Sequence, residues 1–565
     1  MKTEHRTILA IAISAGFFIL WYTVISPPKK VETPPAETTA QAEVETEVEG
    51  KAKVEAETAT VGKTATVDTN DPQARVPVTT VTLRNNLIEA TITNDGGTLE
   101  SWRTLDYRQT TDKASPFIDL TSAEVGLKRS LALTVEDTGF AIPERPRYEV
   151  VSQADSEVVL RWRSPGEITI VKRITIEDGR YVANVDVEIT NESENAISAK
   201  PLLDWVRINE PSESGGFFGF LKRSQIDVKQ AAFFVDGKVH REKGEDEAVT
   251  VPGSVYWSGV ESRYFISAIV PRVQGEGLKA FYGTQGVEGA KAGTQEVWAG
   301  AVLPAMPISA GRSASAAFTV YSGPKDITRL KAMGVGLEKA IDYGWFSIIA
   351  VPILYVLKFF YSLVHNYGVA IILLTVLVKL LLHPINVKSL KSMKAMQQLQ
   401  PRLKELQAKH KGDKSKLNQE TMQLFRAHKV NPMGGCLPMV LQLPIYIALY
   451  KVLWSSIELF HAPFFWFYRD LSAPDPYMIT PILLGVFMLA QQHIMPSASA
   501  DPAQKKMMML MPIMFTGFML FLPVGLVIYI LVNTATSVTQ QYMYNKGIGI
   551  MDLIRGRWRT SAAKA

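Results

Sequence analysis

The sequence predicts a polytopic α-helical membrane protein with six transmembrane helices and one large all-β domain set outside the bilayer. Three observations predict it. Long apolar runs stand at the very start and again after residue 343, the acidic residues lie mainly between them, and residues 76–324 alternate apolar and polar side chains in short runs. With 565 residues, 47% hydrophobic and 20% charged, the chain is long enough for more than one domain. Its net charge of +5 is modest, and the basic residues gather beside the apolar runs, which points to a membrane surface and away from specific DNA binding. The single cysteine, Cys436, excludes an intrachain disulfide.

The first apolar run, Thr7 to Ile25, follows Lys2, His5 and Arg6 and is long enough to cross a bilayer. The sequence "ISPPKK" after it offers no small-residue cleavage site, so residues 1–28 are expected to be a cytoplasmic tip and an uncleaved anchor. Residues 29–75 repeat Glu, Thr, Ala, Val and Pro without an aromatic residue and are expected to form a disordered linker.

Residues 76–330 are assigned to the β domain. In "RYVANVDVEIT", Tyr181, Ala183, Val185, Val187 and Ile189 fall on one face, and Asn184, Asp186, Glu188 and Thr190 on the other. Similar runs between Asn, Asp and Gly turns suggest a large antiparallel sandwich of two sheets. No short metal-ligand spacing, Gly-x-Ser-x-Gly or Gly-rich phosphate loop occurs there, so neither a cofactor nor catalysis is indicated. Trp257, Tyr264 and Phe265 are read as sheet packing, with a sugar-binding groove as the alternative.

The second half is read as membrane-embedded. Residues 331–367 are a linker and an amphipathic helix lying at the interface, because the span expected at 368–385 begins too soon after it for an antiparallel pair. Residues 386–432 hold eleven Lys or Arg against three Asp or Glu, an excess that places them in the cytoplasm. Apolar stripes, Met393–Met396–Leu399–Leu403–Leu406 and then Leu417–Leu424–Phe425, make this segment a helical hairpin bent at Pro401. Residues 433–545 contain four further apolar runs, the last two joined at Pro523, and 546–565 form a basic tail. Six spans return both termini to the cytoplasmic side.

Lys379 is the anomaly in this pattern. It lies inside an apolar run, and none of the five candidate core spans contains Asp or Glu to pair with it. Snorkelling to the headgroups is one reading. However, Thr375 stands one turn earlier, Gln442 lies in the next span, and Tyr529, Asn533, Thr536 and Gln540 recur at four, three and four in the last one. These polar residues could serve as interhelical glue. Together with an unpaired cation they describe instead a wet groove where polar chain enters the bilayer. Fourteen of the nineteen methionines lie between Met393 and Met519, which suits an adaptable surface for apolar segments as well as core filling.

The ordered motifs "NPMGGCLPMVLQLPIYIALYKVL", "SSIELFHAPFFWFYRDLSAPDPYMITPILLGVFML", "DPAQKKMMMLMPIMF" and "FLPVGLVIYILVNTATSVTQQ" make the chain resemble the YidC/Oxa1/Alb3 family of membrane protein insertases. The resemblance implies a bacterial inner-membrane protein with a periplasmic domain like a galactose-mutarotase supersandwich. It also implies a hydrophilic groove of five spans, open to cytoplasm and lipid, that accepts the exported part of a client. Lys379 falls where the family usually has arginine, and Thr375 and Gln442 fall on groove positions. Tyr529 matches the first of two adjacent tyrosines found in some relatives, while the second position is Ile530. Nascent membrane proteins, the Sec translocon, the ribosome and lipids are the partners so implied. A secondary transporter and an anchored periplasmic carbohydrate-binding protein are the competing readings; paired repeats with broken, ion-binding helices, which would favour the transporter, are not found.

Overall fold

The structure is a computed structural model and describes residues 76–546, except 122–127, 137–139, 141, 144, 165, 211–227, 243–247, 274–275, 288, 411–412, 429, 431–436, 466–467 and 495–501. The expected anchor, linker and basic tail, 1–28, 29–75 and 547–565, lie outside the described residues.

The β domain forms three antiparallel sheets of four, six and nine strands, where two were expected. The four-stranded sheet is a local meander of the first strands, while pairing in the six-stranded sheet is non-local: the long strand Ile197–Asn209 pairs along one edge with Gln295–Val302 and its continuation Met306–Ile308, and along the other with Leu133–Glu136. Alternation within single strands follows the expected pattern: Tyr181, Ala183, Val185, Val187 and Ile189 are all buried, while Glu188 is exposed. Gly96 and Gly97, both at positive φ, make the turn before the strand Thr98–Arg108. Two indole N–H groups bond between layers, Trp102 Nε1 donating to Ser322 O and Trp205 Nε1 to Leu120 O, each at 2.9 Å, while those of Trp162, Trp257 and Trp298 are buried without a partner. Trp257, Tyr264 and Phe265 lie in the same apolar core.

A short helix α1, Ile327–Lys331, leaves the β domain with Asp326 as its N-cap. Helix α2, Ser347–Val364, buries Ala350, Ile353, Leu354 and Leu357 and leaves Ile348, Tyr355, Phe359 and Leu363 exposed. Both its buried and its exposed face are therefore largely apolar. His365 in the left-handed region and Asn366 as N-cap separate it from α3, Tyr367–Gln398. At 32 residues, α3 is about 48 Å long, so the expected span and the start of the hairpin are one continuous helix rather than separate pieces meeting at 386. The break comes at Leu399; Pro401 sits in the first turn of α4, Gln400–Lys409, where its missing N–H removes no helical hydrogen bond.

Helix α5, Lys414–Ala427, completes the hairpin, with Leu399, Leu403 and Phe425 in a small core of their own. Four more helices follow: α6, Leu437–Ser455; α7, Ile479–Ile494; α8, Pro502–Met519; and α9, Val524–Asn545. Among the described residues, the segments Gly344–Val364 and Tyr367–Gln398 are long and apolar enough to cross a membrane by length and composition. The central helix α9 packs against α3, α6 and α7, and it is this arrangement that positions the polar stripe.

A candidate hydrophilic groove

Lys379 lies in α3 about 18 Å from its first residue, and Asn533 about 14 Å from the first residue of α9. Only 6% exposed, Lys379 turns to α9 and donates from Nζ to Ser537 Oγ at 2.7 Å. Ser537 in turn donates to Asn533 O at 2.8 Å. No carboxylate among the described residues acts on Lys379. Its ammonium has three donors and the structure gives it one acceptor, so capacity remains for water or a client.

One turn of α9 further toward its start, a second polar group forms. Gln442 Nε2 of α6 donates to Tyr529 OH at 3.0 Å, Asn533 Nδ2 donates to Tyr446 OH, and the Tyr446 and Tyr529 rings meet edge to face with centroids 5.6 Å apart. Asn533 Oδ1 is buried without a hydrogen-bond partner. A buried amide oxygen of that kind costs free energy unless something polar reaches it. The face that links α3, α6 and α9 is therefore incompletely satisfied at two points, one cationic and one an acceptor.

The structure thus brings together Lys379, Gln442, Tyr529 and Asn533 of the expected residues. It places Thr375 and Thr536 nearby but bonds them to their own helices, Thr375 Oγ1 to Ile371 O at 2.7 Å and Thr536 Oγ1 to Val532 O at 2.6 Å. Ile530, at the place of the second tyrosine, packs against the apolar core. Two members were not anticipated. Ser537 follows Asn533 by four residues and Tyr446 follows Gln442 by four, so helical spacing puts each on the face of an expected residue, while its partner comes from packing between helices.

The family described as YidC periplasmic domain matches residues 80–356, and that described as 60Kd inner membrane protein matches 359–550. A Membrane protein insertase YidC of Syntrophus aciditrophicus is 36% identical over 560 residues, covering 96% of this chain and 99% of that protein. The chain belongs to the YidC family. A second family member, from Geobacter metallireducens, is 34% identical with the same coverage of both chains. A crystal structure of an active YidC insertase with its first transmembrane domain resolved aligns at 18% identity and TM-score 0.38, over 82% of this chain and 92% of that one. YidC membership assigns the three-sheet region as a periplasmic all-β domain and the helices after it as the membrane domain.

Proposed function

We propose that this protein inserts other proteins into the bacterial inner membrane, taking the polar exported part of a client through the groove and releasing its apolar span into lipid. Insertase names among relatives aligned over nearly the whole chain support the activity. The observation that carries the groove is Lys379, buried, held by one hydroxyl and facing no carboxylate. A cation in that setting attracts an acidic segment or water into the membrane without covalent chemistry. The activity is not enzymatic. Each client methylene placed in lipid contributes about 0.8 kcal/mol. A negatively charged exported segment gains about 2.3 kcal/mol per charge per 100 mV where it crosses the full field with that polarity.

Several finer features belong to the same proposal. Six spans, with the anchor at 1–28, the span within 368–385 and four more in 433–545, put both termini in the cytoplasm and the domain at 76–330, a supersandwich, in the periplasm. The linker at 29–75 and the interfacial helix within 331–367 join these parts. Lys379, Thr375, Gln442, Tyr529, Asn533 and Thr536 line the groove. The basic hairpin at 386–432 and the tail at 546–565 meet anionic lipid and the ribosome, and the Sec translocon is a partner for some clients. The carbohydrate-binding reading gains no support from Trp257, Tyr264 and Phe265, which are core residues. Photocrosslinking of a nascent membrane protein to probes at Lys379 and Tyr529 tests the proposal. Crosslinks to both positions during insertion are expected; crosslinks confined to the lipid-exposed side of α8 would contradict it.

A further inference from the structure

The described residues of the connection between α6 and α7, 456–465 and 468–478, are stitched to the outer ends of the groove helices. Gly525 N donates to Leu471 O at 3.0 Å and Val524 N to Ala473 O at 2.8 Å, tying the loop to the start of α9. Asn366 Nδ2 donates to Phe464 O at 3.0 Å at the start of α3. The Phe464 ring lies so close to the backbone of Gly368 that a Cβ there would meet it at 1.9 Å. Asp475 holds the loop's own shape, accepting from Thr480 N and Oγ1 at 2.7 Å, Tyr477 N at 2.9 Å and Tyr468 OH at 3.0 Å. The loop therefore fills the outer end of the two helices that carry Lys379, Tyr529 and Asn533.

The β domain grips this loop from the other side. The Phe460 ring enters an aromatic socket, with centroids 4.9 Å from Tyr264, 6.1 Å from Phe265 and 6.3 Å from Tyr107. Arg263 lies 3.7 Å over the Trp454 ring and donates from Nε to Trp454 O at 2.7 Å. Lys358 of α2 joins three parts at one point: its Nζ is 2.9 Å from Asp326 Oδ2, at the exit of the β domain, and 2.7 Å from Glu458 Oε1, in the loop. Two largely buried carboxylates held by one ammonium form a contact that cannot be opened on one side without leaving charge uncompensated.

We infer that Lys358, Glu458 and Phe460 are positioning residues for insertion: they latch the loop 456–478 over the outer end of the groove, and its release limits how fast a long polar client segment passes. The inference rests on the proposed path of clients through the groove. A short exported segment has little chain to pass the loop, whereas a long one needs the loop to swing clear. The latch therefore separates clients by the length of what they export.

The test uses the full chain with Cys436→Ser, reconstituted into liposomes of phosphatidylethanolamine and phosphatidylglycerol. Lys358→Cys and Glu458→Cys are joined by a short reducible bis-maleimide, and insertion is timed for two clients that differ only in having a short or a long polar exported tail. Locking is expected to slow the long-tailed client about tenfold, equivalent to about 1.4 kcal/mol of barrier, to leave the short-tailed one unchanged, and to be reversed by reductant. Glu458→Gln, which frees the loop while Lys358 keeps Asp326, is expected to raise the long-to-short rate ratio, and Lys358→Arg to keep the parental ratio. Equal rates for locked and reduced protein, or an equal loss on both clients, would overturn the inference. Failure of the parental protein to insert either client would instead overturn the insertase reading beneath it.

Discussion

Each half of the molecule buries a lysine, and the two are treated differently. Lys172 of the periplasmic domain has no exposed surface; its Nζ donates to Gly97 O at 2.8 Å and to Leu131 O, and Asp204 lies near enough to act on it. Lys379 of the membrane domain is 6% exposed and has one serine hydroxyl and, among the described residues, no carboxylate acting on it. Lys172 joins the turn at Gly97, the loop at Leu131 and the strand Ile168–Ile176, so its bonds are fixed by the fold. Burial therefore does not separate the two lysines. Donor use does: fixed backbone acceptors meet Lys172, while Lys379 has one hydroxyl acceptor and donors to spare, as the proposed groove role requires.

The largest effect expected from this contrast is on folding. Lys172→Ala leaves two carbonyls without their partner and Asp204 with Lys128 as its remaining nearby cation, and should destabilise the periplasmic domain by about 3 kcal/mol, read by urea unfolding through its buried tryptophans. Lys379→Ala, by contrast, removes one hydroxyl contact and should shift unfolding by less than about 1 kcal/mol while lowering insertion. If the two variants lose stability equally, the distinction between them fails.

The pH dependence sharpens the same contrast. Burial pushes Lys172 down to about 7, opposed by Asp204, and burial pushes Asp204 up to about 6, opposed by Lys128 and Lys172. Below its ordinary 10.5, unfolded Lys172 holds a proton that the folded form has partly lost, so its contribution to stability rises from about pH 7 towards 10.5. Asp204 runs the other way: between 3.8 and about 6 the folded form holds more proton, so stability falls as pH rises through that window. The pair therefore contributes least between about pH 6 and 7, and Lys172→Met should flatten the upper limb of the stability profile. A profile unchanged by Lys172→Met would show that the lysine titrates as it does in water.

Smaller effects are expected within the groove. Tyr529→Phe removes the acceptor of Gln442 Nε2 and should cost about 1 kcal/mol in stability, with a modest loss of insertion. Thr536→Ala breaks only a bond to Val532 O in its own helix and should lie within about 0.5 kcal/mol of the parent. A larger effect of Thr536→Ala on insertion than of Tyr529→Phe would mean that the half-buried face of α9, rather than the Gln442–Tyr529 contact, meets the client.

Much of this was legible in the sequence, for physical reasons that also mark where reading stops. Period-two alternation is local, so the buried face of Val182–Asn191 could be read directly from its residues. Sheet membership is not local: Ile197–Asn209 takes partners 86 to 100 residues away in Gln295–Val302, and no periodicity announces that. Lys379 stood out because a charge in an apolar run is costly. Ser537 and Tyr446 did not, since serine and tyrosine are tolerated in membrane helices and only the packing of α9 against α3 and α6 gives them partners. The continuation of α3 to Gln398 escaped notice because the change from apolar to basic at 386 marks where lipid ends, and a helix has no need to end with it.

The central claim is that Lys379 holds positive charge open for a client. It is tested most directly in liposomes carrying folded, oriented parental protein or Lys379→Glu, by the insertion rates of clients with acidic, neutral or basic exported tails. The account predicts that Lys379→Glu slows the acidic-tailed client about tenfold relative to the neutral one, with Lys379→Arg close to the parent. Equal insertion of the acidic-tailed client by the parent and by Lys379→Glu would contradict it.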